Sequence, residues 1–543
     1  MTFEEKLRTL PAAEVWEEYC GFLEMTMEEY MGVQRRLLEE QIALLSGCGL
    51  GRRFLGETPP KTVEEFRARV PLTKYEDYAD ILLLKREEML PAAPVIWLET
   101  TWEGGDRPFK AAPYTKAMLD TYRTNILAAM LLSTAREKGK FRVRQNARVL
   151  YSLAPLPYAT GLFPGLVAPE IGIRFLPSLK EAQKLSFSAR CKEGFRQSLM
   201  GGMDQFYGMT SIIYSMSKSF AASSGKEGAK VSLRDILRMS PAMLYRVLKA
   251  KYQSRRDGTP VYPRDIFRLD GLVCVGTDTA LYKDELEELW GCRPLEVAGG
   301  TEPCLLGTET WSKNGLVFYP DNCFYEFIPE SEMNRSLRDP AYAPNTYLMD
   351  ELVAGEKYEL VITVLRGGAF VRYRVGDVYR CLRLKNRQDG LDFPQFEYVD
   401  RVPNVIDIDG FTRITEREIN KVIELAGLPV SDWFALKEYD AENHSFLHLY
   451  VELQAGRERP SAADAAVIKE HLGIYFRYYD SDYNDLKRLI GLDPLRVTIL
   501  KSGAIAGFAR TTGRHIARIN PRRQDVVDFL HFHEAGNWPE VLP

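Results

Sequence analysis

The chain has 543 residues, a net charge of −4, 45% hydrophobic and 27% charged residues. This is an ordinary globular composition too long for one core, so a large domain plus a smaller one is expected, and it excludes a nucleic-acid footprint. Eight scattered cysteines without a Cys-x-x-Cys argue against a zinc site or a disulfide framework and for a reducing, cytoplasmic compartment.

Taken in chain order, residues 1 to about 90 read as helices. Glu28 to Leu45 has apolar residues at helical spacing and stops before Gly47. Thr62-Val63-Glu64-Glu65 spells a capping box, and Pro71 ends the helix it opens. Ile126 to Leu132 is the best apolar run, far below the roughly 18 residues of a membrane span. The start, Met1 to Lys6, lacks the apolar core of a signal peptide.

Ala147 to Ala154 reads as a buried strand, followed by the turn-rich Pro155 to Gly161. Met209 to Phe220 reads as a helix, and the Arg255-Arg256 and Arg522-Arg523 pairs as solvated surface. Gly271 to Val275 is a short strand, Leu281 to Trp290 an amphipathic helix closed by Gly291, and Pro294 to Val297 another strand. The loop Ala298 to Pro303 then sits at a strand's carboxyl end, where α/β sheets gather ligands.

From Tyr358 the pattern turns to strands: Tyr358 to Leu365, then Ala369 to Cys381 interrupted near Gly376-Asp377, then Phe393 to Val399. A composition shift at Asp400-Arg401 is the expected boundary, giving domains 1–400 and 401–543. Beyond it come a strand at Asn404 to Ile408, a turn at Asp409-Gly410 and a helix capped by Thr415 with Glu418. Phe446 to Leu453, a helix from Ser461 and a strand at Arg496 to Leu500 complete an α+β unit.

The six histidines begin at His444. The large domain therefore holds no Ser-His-Asp triad, no Cys-His pair and no histidine metal site. Its chemistry must use carboxylates, hydroxyls, lysine, arginine, backbone donors or a hard cation.

Three ordered segments carry that chemistry. In Gly299-Gly300-Thr301-Glu302 the glycines let backbone approach a flat ligand, the threonine can donate to phosphate, and the glutamate suits Mg²⁺. In Tyr373-Arg374-Val375-Gly376-Asp377-Val378 a carboxylate on a kinked strand can accept both ribose hydroxyls. Val399-Asp400-Arg401 leads into Asp409-Gly410-Phe411 and Glu418-Ile419. In that order these strings resemble the signatures of adenylate-forming enzymes.

Phe66-Arg67-Ala68-Arg69-Val70-Pro71-Leu72 with Tyr75-Glu76-Asp77-Tyr78 resembles the start of the GH3 acyl-acid amido synthetases. Cys323 to Pro329, Glu356 to Thr363 and Pro394-Gln395-Phe396 are similar to further GH3 segments. The resemblance runs from about residue 60 to 425 and implies an α/β fold. A large multi-sheet N-terminal domain of the adenylate-forming type would be followed by a small, mobile α+β C-terminal domain.

It also implies a reaction. ATP, with Mg²⁺ on Glu302, activates a small carboxylic acid as its acyl-adenylate; an amine or amino acid then displaces AMP. Gly299, Gly300, Thr301, Tyr325, Asp377, Arg401, Thr100, Thr101 and Lys110 would bind the nucleotide. Thr301 and Glu302 would act in catalysis. The acyl site would draw on Leu156, Tyr158, Gly161, Phe206, Met209 and Ile213. A thioester-forming ligase using coenzyme A and a nucleotide- or acyl-binding homologue without catalysis are the alternatives. No nucleic acid or membrane partner is expected.

Two departures from that pattern stand out. The phosphate loop is Glu99 to Lys110, keeping Gly104, Gly105 and Lys110 but adding Trp102 and two glutamates. A carboxylate about 4 Å from phosphate charge costs roughly 4 kcal/mol at an effective dielectric of about 20, unless Arg107, Lys110 or Mg²⁺ offsets it. In the tail, Ile519 stands where GH3 proteins place a lysine, which leaves Arg514 and Arg518 as the candidate cations of the adenylation step.

Overall fold

The computed structural model describes residues 1–101, 109–225, 238–409, 412–425, 427, 429–441, 443–454, 462–479 and 494–536. It divides into two compact units, one made of residues 1–100 and 109–399, the other of Thr101 and the described residues from Asp400 onward.

The first unit opens with helices. Met27–Ser46 starts at Thr26, whose hydroxyl accepts from the Glu29 amide while Glu29 returns a bond to the Thr26 amide. At Val63–Arg69 only half of the expected box forms. The Thr62 hydroxyl takes the Glu65 amide, but the Glu65 carboxylate accepts from Lys61. The apolar run inspected for a membrane span belongs to the helix Lys116–Thr134. Among the described residues no helix is long and apolar enough to cross a membrane.

Two strands, β1 (Ile96–Thr101) and β2 (Phe109–Tyr114), pair with each other. The main sheet uses β3 (Ala147–Ser152), β4 (Ile173–Leu176), β5 (Gln205–Met209), β6 (Gly271–Val275), β7 (Leu295–Gly300), β8 (Cys304–Glu309), β9 (Leu316–Phe318), β10 (Cys323–Pro329), β11 (Lys357–Val364), β12 (Tyr373–Arg383) and β13 (Gln395–Arg401). Its order is β10-β11-β12-β13-β9-β8-β7-β6-β5-β3-β4. Strands β3 to β7 run parallel, as strand–helix alternation predicts. β8 pairs antiparallel with β7 and β9, and β11 antiparallel with β10 and β12.

Among the boundaries that differ from the sequence reading, three lie at the expected site segments. Met209 closes β5 and its helix starts at Thr210. β7 runs on through Gly299 and Gly300, so the turn is only Thr301 to Pro303. β12 begins at Tyr373 rather than Ala369. In each case cross-strand pairing, invisible to local pattern, decides where the strand stops.

One hydrophobic core fills the helix side of the parallel strands, joining Leu150, Phe206, Ile213, Tyr214, Leu272, Leu286 and Trp290. The neighbouring strand residues Tyr151 and Tyr207 point to the other face, where Phe163 packs on both rings.

The second unit pairs β14 (Val405–Ile408) with β15 (Thr412–Thr415) and builds a sheet β16-β17-β18 from Val430–Tyr439, Ser445–Leu453 and Leu495–Leu500. Helix Glu416–Leu425 carries the expected Thr415–Glu418 cap at 2.7 Å. The turn residues Gly410 and Phe411, and Ser461, lie outside the described residues; the helix beyond is Ala462–Tyr479. β16 and the helices Ala504–Thr512 and Arg523–Ala535 had no clear sequence signal.

Candidate active site

The turn after β7 is built by close packing. A Cβ on Gly299 would lie 2.1 Å from the Cys304 carbonyl oxygen, so only glycine lets β7 and β8 approach here. Cys304 itself adopts φ +57°. The Tyr114 hydroxyl donates to the Thr301 carbonyl, and the Asn322 amide to the Pro303 carbonyl at 3.0 Å. The turn is thus anchored to β2 and to the start of β10. Thr301 and Glu302 are each 8% exposed.

Glu302 has Tyr373 and Lys110 as close partners. The Tyr373 hydroxyl donates to its Oε1 at 2.8 Å, and Lys110 Nζ lies 3.4 Å from the same oxygen. Lys110 also donates to the Tyr373 hydroxyl at 3.2 Å and sits near the Tyr75 and Tyr373 ring faces, at 5.7 and 6.0 Å. The expected phosphate-loop lysine and the expected Mg²⁺ carboxylate therefore meet directly. Among the described residues no group of three His, Cys, Asp or Glu could hold a metal ion. A Mg²⁺ at Glu302 would draw its remaining oxygen ligands from phosphate and water.

Asp377 lies on β12, four residues past Tyr373, and is 8% exposed. The pairing Val361 with Arg374 becomes Glu359 with Val378, leaving extra residues on β12, and Gly376 takes φ +82°. This bulge is the interruption expected from the Gly-Asp pair. The Arg374–Glu359 ion pair at 2.6 Å, both side chains buried, fixes the strand on its near side.

Other expected site residues fall elsewhere. Tyr325 is a core residue: it is 1% exposed, its hydroxyl donates to the Tyr319 and Leu306 carbonyls, and its ring stacks on Phe318 at 5.1 Å. Phe206 and Ile213 are fully buried in the helix-side core, Phe206 edge-on to Trp290 at 5.3 Å. For these three the alternation of buried faces, not a ligand, accounts for the side chain. Met209 is half-buried at the end of β5.

The turn after β3 is as exposed as its composition suggests. Leu156 is 50% exposed, and Tyr158 and Gly161 are half-buried. A Cβ on Gly161 would meet the Leu156 nitrogen at 2.1 Å, so that glycine closes the turn.

Thr100 is half-buried on β1, and Thr101 ends that strand. Trp102 to Pro108 lie outside the described residues, with Glu103, Gly104, Gly105 and Arg107 among them. Glu99 faces Lys85, 3.8 Å away.

In the second unit Arg401 is 8% exposed at the end of β13. Arg514 pairs with Asp525 at 3.2 Å and Asp528 at 2.7 Å; Arg518 pairs with Glu416 and Asp432 at 3.2 Å each. Ile519 belongs to the core. It bridges to Ala435 of β16, with bonds from Ala435 to the Arg518 carbonyl at 2.7 Å and from Asn520 to the Ala435 carbonyl at 2.9 Å. The position aligned with the family lysine is thus a sheet-edge core position here.

The model of the GH3 family N-terminal domain matches residues 20–154, and that of the GH3 family central domain matches residues 316–401. A probable indole-3-acetic acid-amido synthetase GH3.1 of Oryza sativa subsp. japonica is 26% identical over 506 residues, covering 83% of this chain and 80% of the relative. Among solved structures, the AtGH3.15 acyl acid amido synthetase in complex with 2,4-DB is 14% identical, with a TM-score of 0.50 over 96% of this chain and 95% of its own. A 2-hydroxyisobutyryl-CoA ligase in complex with 2-HIB-AMP and CoA is 18% identical, with a TM-score of 0.50 over 91% and 87%. These two structures share the fold. Both GH3 domain models thus match this chain in order, and the glycine turn and the bulged aspartate strand lie on one sheet.

Proposed function

We propose that the protein is an ATP-dependent ligase that adenylates a small carboxylic acid and passes the acyl group to an amine, most naturally an amino acid. The observation that carries this reading is one sheet that bears Glu302 on its glycine turn and Asp377 on its bulged strand. Glu302 is joined to the Asp377 strand through Tyr373.

In the first step a carboxylate oxygen attacks the α-phosphorus of ATP and the bond to pyrophosphate breaks. In the second the amine nitrogen attacks the acyl carbon, loses a proton and expels AMP. Asp377 would accept from the ribose hydroxyls. Lys110 would balance phosphate charge, and Thr301 would donate to a phosphate oxygen. Glu302 would hold the Mg²⁺ that accompanies ATP, whose charge neutralises the departing pyrophosphate. Gly299 and Gly300 would lie against the base, and Arg401 would reach the ribose. Arg514 and Arg518 are the cations left to serve where the family uses lysine. Leu156, Tyr158, Gly161 and Met209 would line the acid.

A second reading, a nucleotide-binding homologue without catalysis, is favoured by one feature. Ile519 is committed to the core of the second unit, and both candidate arginines are ion-paired there. The same assay decides between the two. Acid-dependent release of pyrophosphate from ATP and Mg²⁺, over a panel of carboxylic acids without amine, supports the ligase. Nucleotide binding without release supports the second reading. Adding amino acids or coenzyme A then separates amide from thioester formation.

A further inference from the structure

At the carboxyl edge of β3 and β5 three buried polar atoms have no hydrogen-bond partner among the described residues: Arg190 Nε, Ser152 Oγ and Ser211 Oγ. The residues are 6%, 0% and 7% exposed. A buried polar group left unpaired destabilises the fold, and a charged one more so. Three in one region of a sheet call for a partner.

Pairing and packing bring them to the same edge. Ser152 is the last residue of β3 and pairs with Gly208 of β5; Ser211 follows three residues later. Helix Phe187–Gly201 packs so closely on β3 that a Cβ on Gly194 would lie 2.6 Å from Leu150 Cδ1. One helical turn earlier stands Arg190, and two residues past Leu150 stands Ser152. Arg190 Nη2 donates to the carbonyl of Leu153, the next residue, at 2.7 Å.

Two helix starts meet this edge. Helix Phe187–Gly201 leads into β5 and helix Thr210–Gly225 leaves it, so both begin at the carboxyl side of the parallel strands. The first turn of a helix favours negative charge. Among the described residues no carboxylate pairs with Arg190, and its burial holds the guanidinium pKa below the usual arginine value.

We propose that Arg190, Ser152 and Ser211 bind one carboxylate of a small organic molecule. Arg190 Nε and the two hydroxyls donate to its oxygens. The exposed turn from Pro155 to Pro157 begins two residues after Leu153, whose carbonyl Arg190 already holds, and is the side from which the ligand enters. This carboxylate is not the one adenylated; it belongs either to a second group on the acid or to the amino acid acceptor.

The test is a melting-temperature titration of the full chain with acetate, succinate, glycine and alanine, each against chloride at equal ionic strength. A saturable rise in wild type, weakened at least tenfold in Arg190→Gln and in Ser152→Ala, supports the site. Response to succinate but not to the amino acids assigns it to the acid; response to the amino acids alone assigns it to the acceptor. If Arg190→Gln does not fold, Ser152→Ala combined with Ser211→Ala carries the comparison. No saturable rise in wild type, or one unchanged in the serine variants, overturns the proposal. The readout needs no turnover, so a chain that binds carboxylate here yet releases no pyrophosphate keeps this site while losing the ligase reading.

Discussion

Lys110 and Glu302, 192 residues apart in the chain, form a buried ion pair at 3.4 Å with the Tyr373 hydroxyl bonded to both. Each side chain is 9% exposed. The pair joins the strand after the phosphate-loop segment to the glycine turn. Under the proposed function phosphate and Mg²⁺ would compete for its two charges.

Removing Lys110 takes a cation from beside a buried carboxylate. Lys110→Met should cost about 3 kcal/mol or more in chemical denaturation, while Lys110→Met with Glu302→Gln should recover most of it. Equal losses in the single and double variants would show that the two charges are not coupled.

Glu302→Gln should lower acid-dependent pyrophosphate release, and raised Mg²⁺ should restore part of it. A deficit that does not respond to Mg²⁺ over a wide titration counts against the metal role. Asp377→Ala should weaken AMP by at least about tenfold in calorimetry, or about 1.4 kcal/mol. Unchanged affinity removes Asp377 from the ribose site.

Adjacent glycines should behave differently. Gly299→Ala drives a Cβ to 2.1 Å from a backbone oxygen, whereas Gly300→Ala meets its nearest neighbour, Pro303, at 3.4 Å. Gly299→Ala should give little soluble protein and Gly300→Ala a wild-type melting temperature. Equal behaviour would mean that β7 and β8 separate more readily than their packing indicates.

Burial, reinforced by neighbouring Glu309, pushes Glu296 up to about 8. Its folded pKa exceeds the unfolded value of about 4.3. The neutral acid therefore favours folding; that contribution is whole below about pH 4 and is lost as pH rises through about 8. The melting temperature should fall between about pH 5 and 8 and level off above, and Glu296→Gln should flatten the fall. Parallel curves for wild type and variant would remove Glu296 as the cause.

Restoring the family lysine should not restore chemistry. Ile519→Lys places an ammonium in the core of the second unit, where Ile519 is 8% exposed. It should lower stability by about 2 kcal/mol or more and leave pyrophosphate release no higher. A stable variant with faster release would show that the tail can present that position to ATP.

Local physics made much of this legible from sequence. Helix starts at Thr62 and Thr415 were readable because a cap is settled within four residues. The Gly376 bulge was readable because a left-handed backbone demands glycine; Gly299 was read for approach to a ligand, and the structure shows close packing of β7 on β8 there instead. The absence of histidine before His444 excluded whole reaction classes without any structure.

What lies far apart in sequence needed the tertiary structure. Nothing local pairs Lys110 with Glu302 or sends Glu99 toward Lys85. Hydrophobicity alone could not tell a pocket wall from a core, and packing on both sides placed Phe206, Ile213 and Tyr325 in the core. The Arg190, Ser152 and Ser211 cluster joins residues from β3 and two helices. Sequence determined which chemical groups are available and where the chain must turn, because those depend on neighbours within a few residues. Only the fold decided which groups meet, because pairing and burial are settled by contacts hundreds of residues long.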